Sequence, residues 1–388
     1  MKIGIVCYPT HGGSGVVATE LGTALAENGH SVHIISYAIP FRFESFRKNL
    51  KYHEVEVTAY PLFRYPPYDL ALAGTIMEVA HQYGLDILHA HYAIPHAVSG
   101  HLAREMLNGD GRNVKLITTL HGTDITIIGQ QRIFQRITRF GIRQSDGVTS
   151  VSAELKDRVL DTIDCGAQHI EVIPNFVDTQ RFNPDCCADK RAQLAAPDEK
   201  IVMHVSNFRE VKRPRDVVRA FAQATQGMRA RLVMVGDGPE VGATRELARE
   251  LGIEERVSFL GTYDAIWELL PQADLFFLPS EYESFGLSAL EAMACGVPVV
   301  CSNTGGLPEV VEEGVSGRLH APADVAGFAG SIRALLQDDA TRKRMGQAAR
   351  ERAVSKYRQE ALLPVWETYY EKILAQPPSS GTGVGQHC

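Results

Sequence analysis

Several features that would assign the chain to a familiar class are missing from its 388 residues. No run of about 18 apolar residues occurs, so no segment is long enough to span a membrane as a helix. The first residues lack the basic and apolar regions of a signal peptide, and the seven cysteines have no metal-ligand spacing. Neither an acidic nor a basic tail is present, which argues against coating of nucleic acid. We therefore expect a soluble, reduced, cytoplasmic protein.

The composition is that of a globular protein with more than one domain. Hydrophobic residues make up 45% of the chain and charged residues 22%, with a net charge of −7. That apolar fraction is too high for a disordered chain, and the length is too great for one ordinary core. We expect two domains of about 150–200 residues each.

Apolar strand candidates alternate with helical segments in two separate series. The first series begins at Lys2–Tyr8 and includes Lys115–Leu120, and the second begins at Lys200–Val205 and includes Leu275–Pro279. Buried apolar strands that alternate with helices form parallel sheets. The sequence therefore predicts an α/β protein with two doubly wound, Rossmann-like domains that face a central cleft. We place these domains at residues 1–170 and 171–363.

Small residues fill the first predicted strand-to-helix turn, at Gly12, Gly13, Ser14 and Gly15. Glycines let a ligand approach the backbone, and the start of the following helix offers free N–H groups to an anion. The turn does not match Gly-x-Gly-x-x-Gly, and no acidic residue follows the second strand, which disfavours an NAD-dependent dehydrogenase. The alternative is a glycine turn that only the backbone geometry requires.

Two carboxylates, Glu283 and Glu291, bracket a second turn of the same kind. The N–H groups of Phe285, Gly286 and Leu287 in this turn are able to cradle a phosphate or a sugar. Glu291 lies about one turn into the helix, where it would accept hydrogen bonds from ribose hydroxyls. The alternative is an ordinary helix start whose acidic residues offset the helix dipole.

A basic loop, Phe208–Arg213, follows the first strand of the second domain. Its cations include Arg209 and Lys212, which would neutralise a diphosphate leaving group and so act by electrostatic catalysis. The loop and the Glu283–Glu291 turn leave the same end of the predicted sheet, where ligands bind in this architecture. That placement favours a functional interpretation over a solvated basic loop.

Histidines stand at two strand ends of the first domain. His89 and His91 share one face of a strand, but no nearby carboxylate or cysteine completes a site, so we predict no metal ion. His121 lies beside a glycine and is better placed to bind a substrate hydroxyl. The alternative for His121 is a histidine that backbone groups satisfy.

A stripe of arginines, at positions 132, 136, 139 and 143, lies on one face of a predicted helix. A solvated amphipathic helix is the default interpretation, and a membrane-surface helix is disfavoured by the net negative charge. The last of these residues, Arg143, is a candidate for binding an anionic acceptor.

Together these motifs resemble those of the family 4 retaining glycosyltransferases, which have the two-domain GT-B architecture. Glu283 and Glu291 match the Glu-x7-Glu motif of that family, Lys212 matches its basic loop, and the resemblance covers essentially the whole chain. Many relatives carry an arginine five residues before the lysine. Here that position is Asn207, and Arg209 is the residue that would supply the second charge.

The resemblance also implies a fold for the end of the chain. In GT-B enzymes the last helix, here predicted at residues 364–376, packs back on the first domain. We expect the remaining residues, 377–388, to form a flexible tail.

Three strings narrow the resemblance within the family: His11–Val17, His89–His96 and Val205–Arg213. They are similar to the corresponding segments of family members that transfer N-acetylglucosamine from UDP-N-acetylglucosamine to the hydroxyl of L-malate, in the first step of bacillithiol biosynthesis. This resemblance implies that the chain is a retaining, UDP-sugar-dependent hexosyltransferase.

The resemblance implies a role for each residue of the donor site. Arg209 and Lys212 would hold the diphosphate, helped by amides of Gly13 and of Phe285, Gly286 and Leu287. Glu291 would bind the ribose, Glu283 the hydroxyls of the transferred sugar, and His121 that sugar near its 6-hydroxyl. The predicted catalytic residues are therefore His121, Arg209, Lys212 and Glu283.

Malate requires its own contacts, because two carboxylates must be neutralised. Strand-end position and charge select the candidates, which are Ser14, Tyr92, Thr119, Arg143 and Asn175.

The same resemblance implies a mechanism without a protein nucleophile. Retention would follow from front-face attack, in which the departing diphosphate takes the proton of the acceptor. No Asp-x-Asp motif is present, and the family implies neither a metal ion nor a cofactor beyond the two substrates.

Other interpretations remain open. We expect no nucleic-acid or membrane partner, and homo-oligomer formation is left open. One alternative is a family 4 enzyme that acts on a lipid or a polysaccharide, and another is a sugar-nucleotide-binding protein without catalytic activity.

Overall fold

The computed structural model describes residues 1–10, 13–44, 46–57, 65–123, 125, 132–185 and 190–377. The chain folds into two compact units. Unit 1 comprises Met1–Ser150, Lys156–Ile173 and the residues from Leu363 onward, and unit 2 comprises Val151–Leu155 and Pro174–Leu362. The predicted tail lies outside the described residues, except for Pro377.

Unit 1 is built on a parallel sheet of seven strands within the described residues. These are β1 (Lys2–Val6), β2 (Ser31–Ser36), β3 (Leu50–Glu54), β4 (Ile87–His91), β5 (Lys115–Leu120), β6 (Gly147–Ser150) and β7 (Ile170–Val172). The strand order is β3-β2-β1-β4-β5-β6-β7. The chain runs outward from β1 in one direction and then from β4 in the other, so the switch point lies between β1 and β4.

Unit 2 repeats this plan with six strands within the described residues. These are β8 (Lys200–Val205), β9 (Ala230–Val235), β10 (Val257–Gly261), β11 (Leu275–Leu278), β12 (Val299–Ser302) and β13 (Gly317–His320). Their order is β10-β9-β8-β11-β12-β13, and the pairs are parallel. The switch point of this sheet lies between β8 and β11. The predicted α/β fold with two doubly wound, Rossmann-like domains is confirmed.

Helices connect the strands in both units. They are α1 (Ser14–Glu27), α2 (Tyr68–Tyr83), α3 (Val98–Gly109), α4 (Arg132–Arg143), α5 (Ala153–Thr162), α6 (Arg191–Leu194), α7 (Pro214–Ala224), α8 (Val241–Glu250), α9 (Ile266–Leu269), α10 (Leu287–Ala294), α11 (Leu307–Val310), α12 (Val325–Gln337), α13 (Asp339–Tyr357) and α14 (Gln359–Leu374). Single helical turns lie at Ala93–Ala97, Glu210–Lys212, Glu254–Arg256 and Leu270–Gln272. In the part of the chain that the structure describes, no helix has the length and apolar character needed to cross a bilayer.

Each unit has its own apolar core between the sheet and the helices. In unit 1, Ile76, Leu88 and Leu116 are fully buried in one cluster. In unit 2, Phe277 and Phe328 pack at a ring distance of 5.1 Å inside another. Each fully buried side chain of this kind contributes about 1.5–3 kcal/mol, and the resulting rigid sheets fix the loops at their strand ends.

Candidate active site

In unit 2, the loops after β8 and β11 meet at the switch point of the sheet. Lys212, in the first loop, donates from Nζ to Oε1 of Glu283 across 2.6 Å. Ser280, two residues after β11, donates from Oγ to the same oxygen across 2.9 Å. Oε2 of Glu283 has no hydrogen-bond partner among the described residues, and it is therefore available to a ligand. The structure thus brings two of the four predicted catalytic residues into contact.

The backbone of Glu283 is held by the neighbouring loop after β12. The N–H of Gly306 donates to the carbonyl of Glu283 across 2.8 Å. Gly305 has a φ of +55°, and a Cβ on it would lie 1.9 Å from that same carbonyl oxygen. Only glycine fits there, because any side chain would push the Glu283 backbone out of place.

The amides predicted to cradle a phosphate lie at the start of α10. Gly286, with a φ of +95°, caps this helix without a side-chain hydrogen bond, so its first N–H groups have no capping side chain. Phe285 is buried and meets Tyr357 edge-on, with 5.8 Å between the rings. Glu291 is buried further along α10. Phe285, Gly286, Leu287 and Glu291 therefore share one strand-to-helix turn that begins beside Glu283.

The two arginines of the basic loop have different surroundings. Arg213 is held by Asp216 and Glu281, each at 2.6 Å. Arg209 is exposed, and its side chain makes no ion pair or hydrogen bond with the described residues. Arg209 is thus the cation of the loop that is free to meet an anionic ligand, whereas Arg213 fixes the loop.

Sequence reasoning missed two buried polar residues that support this site, Ser280 and His204. His204 lies in β8, and its Nδ1 donates to the carbonyl of Phe277 across 2.9 Å while Nε2 lies 2.8 Å from Oγ of Ser206. Burial, with the nearby charge of Lys212, lowers the pKa of His204 to about 4. The signal was present in the sequence, because His204 is a polar residue within an otherwise apolar strand and Ser280 follows such a strand by two residues.

In unit 1, Ser14, Tyr92 and His121 lie together where β1, β4 and β5 end. Ser14, the first residue of α1, donates from Oγ to the hydroxyl of Tyr92 across 2.8 Å, and the ring of Tyr92 lies 5.3 Å from that of His121. Tyr92 has a φ of +97°, which is strained for a bulky side chain. Gly13 caps α1, and a Cβ on it would meet nothing within 4 Å. His11 and Gly12 of the predicted turn lie outside the described residues.

Of the other predicted malate contacts, Thr119 adjoins this group, because its carbonyl accepts from the N–H of Tyr92 across 3.0 Å. Thr119 is buried in β5, where its hydroxyl meets Nε2 of His89 at 2.7 Å, and Asn175 belongs to unit 2. Arg143 ends α4 just before β6 begins and pairs with Asp164 at 2.8 Å. A helix that follows a strand runs back along the sheet. The end of α4 therefore lies at the edge opposite to the carboxyl ends of β1, β4 and β5. The interpretation of Arg143 as an acceptor contact does not fit that position.

A cluster of neutral histidines lies behind His121. Nε2 of His121 is 2.9 Å from Nδ1 of His91, and the planes of the two rings differ by 20°. The His91 ring lies 4.5 Å from that of His89, and Nδ1 of His96 donates to the carbonyl of His91 across 2.6 Å. Burial lowers the pKa of His89 and His121 to about 3 and that of His96 to about 4. Within the described ranges, no three His, Cys, Asp or Glu side chains form a group able to hold a metal ion.

Comparisons with known proteins identify the class to which this arrangement belongs. Residues 11–181 match the family model described as Glycosyltransferase Family 4, and residues 188–352 match the one described as Glycosyl transferases group 1. Over 375 residues the chain is 46% identical to N-acetyl-alpha-D-glucosaminyl L-malate synthase of Bacillus anthracis, which covers 96% of this chain and 97% of that protein. The chain belongs to the family 4 glycosyltransferases, and the prediction of that family is confirmed.

More distant relatives show how widely the architecture is shared. The D-inositol 3-phosphate glycosyltransferase of Corynebacterium efficiens is 30% identical over 372 residues, which cover 88% of this chain and 86% of that protein. The solved structure of sucrose-phosphate synthase from Thermosynechococcus elongatus is similar with a TM-score of 0.80 at 25% identity, over 97% of this chain and 99% of that chain. The predicted GT-B fold and glycosyltransferase activity are confirmed.

Proposed function

We propose that the chain is a retaining glycosyltransferase that moves N-acetylglucosamine from UDP-N-acetylglucosamine to the hydroxyl of L-malate, the first step of bacillithiol biosynthesis. The observation that carries this proposal is the 46% identity, over 96% of the chain, to the Bacillus anthracis enzyme. The name of that relative describes an α-linked product, and the sugar in the donor is also α-linked. Transfer from the one to the other therefore retains the configuration at the anomeric carbon.

The strand-end cluster of unit 2 suits the donor. Arg209 and Lys212 supply positive charge for the diphosphate, and the uncapped N–H groups at the start of α10 supply hydrogen bonds for it. Glu291 accepts from the ribose hydroxyls. Glu283 keeps one oxygen on Lys212 and Ser280, and it offers the other oxygen to hydroxyls of the transferred sugar.

The reaction needs electrostatic stabilisation more than a nucleophile. The bond between the anomeric carbon and the phosphate oxygen breaks, and the electron pair leaves with the diphosphate. The malate hydroxyl oxygen forms the new bond on the same face, and its proton passes to the departing phosphate oxygen. Lys212 is well suited to this step because it offsets the charge that develops on the leaving group.

The strand-end cluster of unit 1 supplies the remaining proposed contacts. Ser14 and Tyr92 are the acceptor candidates whose side chains are in contact with each other, and the exposed turn at Gly13 lies next to Ser14 in the chain. His121 contacts the transferred sugar near its 6-hydroxyl. Arg143 is not part of this proposal, because it lies at the opposite edge of the sheet.

Arg209 and Lys212 also underlie a proposal about metal ions. We propose that these two cations do what a divalent metal ion does in other transferases, so activity should persist in an excess of EDTA. A cytoplasmic location follows from the proposed substrates, which are both metabolites of that compartment.

The test is UDP release from UDP-N-acetylglucosamine with a panel of acceptors. The panel contains L-malate, D-malate, L-lactate, inositol 3-phosphate and lipid vesicles, and NMR gives the anomeric configuration of each product. We expect release that depends on L-malate and an α-linked product. Turnover with lipid but not with malate would replace the proposed acceptor, and a β-linked product would exclude retention.

A further inference from the structure

The contribution of His121 depends on which of its two ring nitrogens carries the proton. A neutral imidazole has one N–H donor and one bare acceptor nitrogen, and the partner of one nitrogen decides what the other can offer. In the described residues, Nε2 of His121 meets His91, while Nδ1 has no hydrogen-bond partner. The nitrogen that is left for a ligand is therefore Nδ1.

The partner, His91, lies in β4 and is fully buried. Its Nδ1 is 2.9 Å from Nε2 of His121, the ring centroids are 5.0 Å apart, and the ring planes differ by 20°. Burial in an apolar sheet keeps both imidazoles neutral, since a charged ring would lose its hydration there. One of the two facing nitrogens must then donate and the other accept.

The other nitrogen of His91 indicates which of them donates. Nε2 of His91 is buried and has no hydrogen-bond partner in the described structure. If it carried the proton, a buried N–H would lack an acceptor, which is rarer in proteins than a bare acceptor without a donor. The arrangement with fewer unsatisfied donors puts the proton on Nδ1 of His91.

The adjacent His96 follows the same rule. Its Nδ1 lies 2.6 Å from the carbonyl of His91 and must donate to it, because a carbonyl oxygen only accepts. Its Nε2 is therefore bare, and it too is buried without a partner. In His96 the N–H is therefore satisfied and the buried acceptor nitrogen is not, which is the same arrangement that we infer for His91.

We propose that His91 is a positioning residue that donates from Nδ1 to Nε2 of His121, so that His121 presents Nδ1–H to a hydroxyl oxygen of the transferred sugar. The part of this proposal that concerns the sugar rests on the proposed function, whereas the tautomer of His121 does not. With the opposite tautomer, His121 would offer a bare nitrogen instead of a donor. The hydrogen bond from His91 also limits rotation of the His121 ring and so fixes the direction of its N–H.

The experiment measures the tautomer directly, by nitrogen-15 NMR of histidine-labelled full-length protein at neutral pH. We expect Nδ1 of His121 to be protonated and Nε2 to be bare in the unmodified protein. His91→Asp places an acceptor opposite Nε2 and should move the proton of His121 to that nitrogen. A wild-type spectrum with Nε2 protonated would overturn the proposal, whatever the activity.

Kinetics of matched variants complete the test. His91→Ala should lower kcat about tenfold with the Kd for UDP unchanged, since UDP lacks the sugar. His91→Asn keeps an N–H near the position of Nδ1 and should stay within about threefold of the unmodified enzyme. His169→Asn, at an exposed site in unit 1, is the control and should change nothing.

The two readouts separate the possible failures. Equal losses in His91→Asn and His91→Ala, with the tautomer of His121 unchanged in both, would mean that His91 only packs against its neighbours. The expected tautomer together with full activity in His121→Ala would instead contradict the role of His121 in the proposed function.

Discussion

The strand-end clusters of the two units differ in the kind of polar group they present. In unit 2, Lys212 and Glu283 are oppositely charged and lie in contact, and Arg209 is exposed nearby. In unit 1, the corresponding groups are the hydroxyls of Ser14 and Tyr92 and the neutral ring of His121. Fixed charge suits a diphosphate, whose own charge grows as it leaves. Neutral donors and acceptors suit hydroxyl groups, for which the direction of the hydrogen bond matters more than charge.

The largest effect that we predict is on the charged cluster. Lys212→Ala should lower kcat/KM for the donor by about a thousandfold, because removal of one preorganised group at a developing charge costs about a hundredfold to a thousandfold. The loss should exceed that of any single substitution in the unit 1 cluster. Steady-state kinetics of UDP release measure it.

The matched control for Lys212→Ala is Lys200→Ala. Lys200 begins β8, at the other end of the strand that leads to the basic loop, and it also forms an ion pair, with Asp339 at 2.9 Å. We expect its activity to stay within about twofold of the unmodified enzyme. A similar loss in both variants would show that the effect of Lys212 is structural, and the contrast between the clusters would then disappear.

The second prediction concerns the effect of pH on stability. We expect unit 1 to lose stability in acid sooner than unit 2, because more of its histidines are buried. Burial lowers the pKa of His89 and His121 to about 3 and that of His96 to about 4, whereas an unfolded histidine titrates near a pKa of about 6.5. Below that value the unfolded chain binds more protons, so the free energy of unfolding falls by up to about 1.4 kcal/mol per pH unit for each such histidine. These histidines therefore do not reduce the free energy of unfolding above pH ~6.5, and they reduce it progressively as the pH falls below that value. Unit 2 contributes His204, whose pKa is lowered to about 4.

The two tryptophans of the chain allow each unit to be followed separately. Trp366 lies buried in α14 within unit 1, and Trp267 lies in α9 within unit 2. In Trp267→Phe, fluorescence reports unit 1, and in Trp366→Phe it reports unit 2. On acid titration from about pH 7.5 to 4, we expect the Trp366 signal to change at the higher pH. Coincident curves, or an earlier change at Trp267, would contradict the greater acid sensitivity of unit 1, which also contains His33 with a pKa lowered to about 4.

The part of the site that the sequence predicted best is the part that depends on strand ends. Because a parallel sheet brings the carboxyl ends of neighbouring strands to one edge, the loops that carry Lys212 and Glu283 were expected together, and they are in contact. The same rule placed Ser14, Tyr92 and His121 at one edge in unit 1. Direction along the sheet explains the exception, since Arg143 was chosen for its charge although it lies at the end of a helix that returns to the opposite edge.

The sequence motifs did not reveal which buried polar side chains form hydrogen bonds with each other. Nothing in the spacing of His91 and His121, thirty residues apart, shows that they share a hydrogen bond. That contact requires β4 and β5 to be adjacent and in register, with His91 opposite Thr119. Ser280 was likewise missed, because its bond to Glu283 depends on the path of the loop after β11.

The third prediction tests whether the unit 1 cluster works through one neutral donor. His121→Ala should lower kcat about tenfold to thirtyfold, because a single hydrogen bond between uncharged groups is worth about 0.5–1.5 kcal/mol and the unpaired hydroxyl adds to its loss. His121→Asn places an amide nitrogen near the position of Nδ1 and should recover most of the activity. A loss as large as that of Lys212→Ala would mean that His121 carries charge in the reaction, and the two clusters would then not differ as described.

The smallest effect should come from the supporting hydroxyl in unit 2. Ser280→Ala removes one of the two donors to Oε1 of Glu283 and leaves the Lys212 contact in place. The carboxylate is then less firmly oriented but keeps its charge, so kcat should fall about threefold to tenfold while the KM for malate stays the same. Ser302→Ala is the control, since Ser302 is buried at the end of β12 and its hydroxyl has no hydrogen-bond partner among the described residues. If Ser280→Ala were as damaging as Lys212→Ala, orientation of Glu283 rather than charge at Lys212 would dominate in unit 2, and both clusters would then depend mainly on the direction of hydrogen bonds.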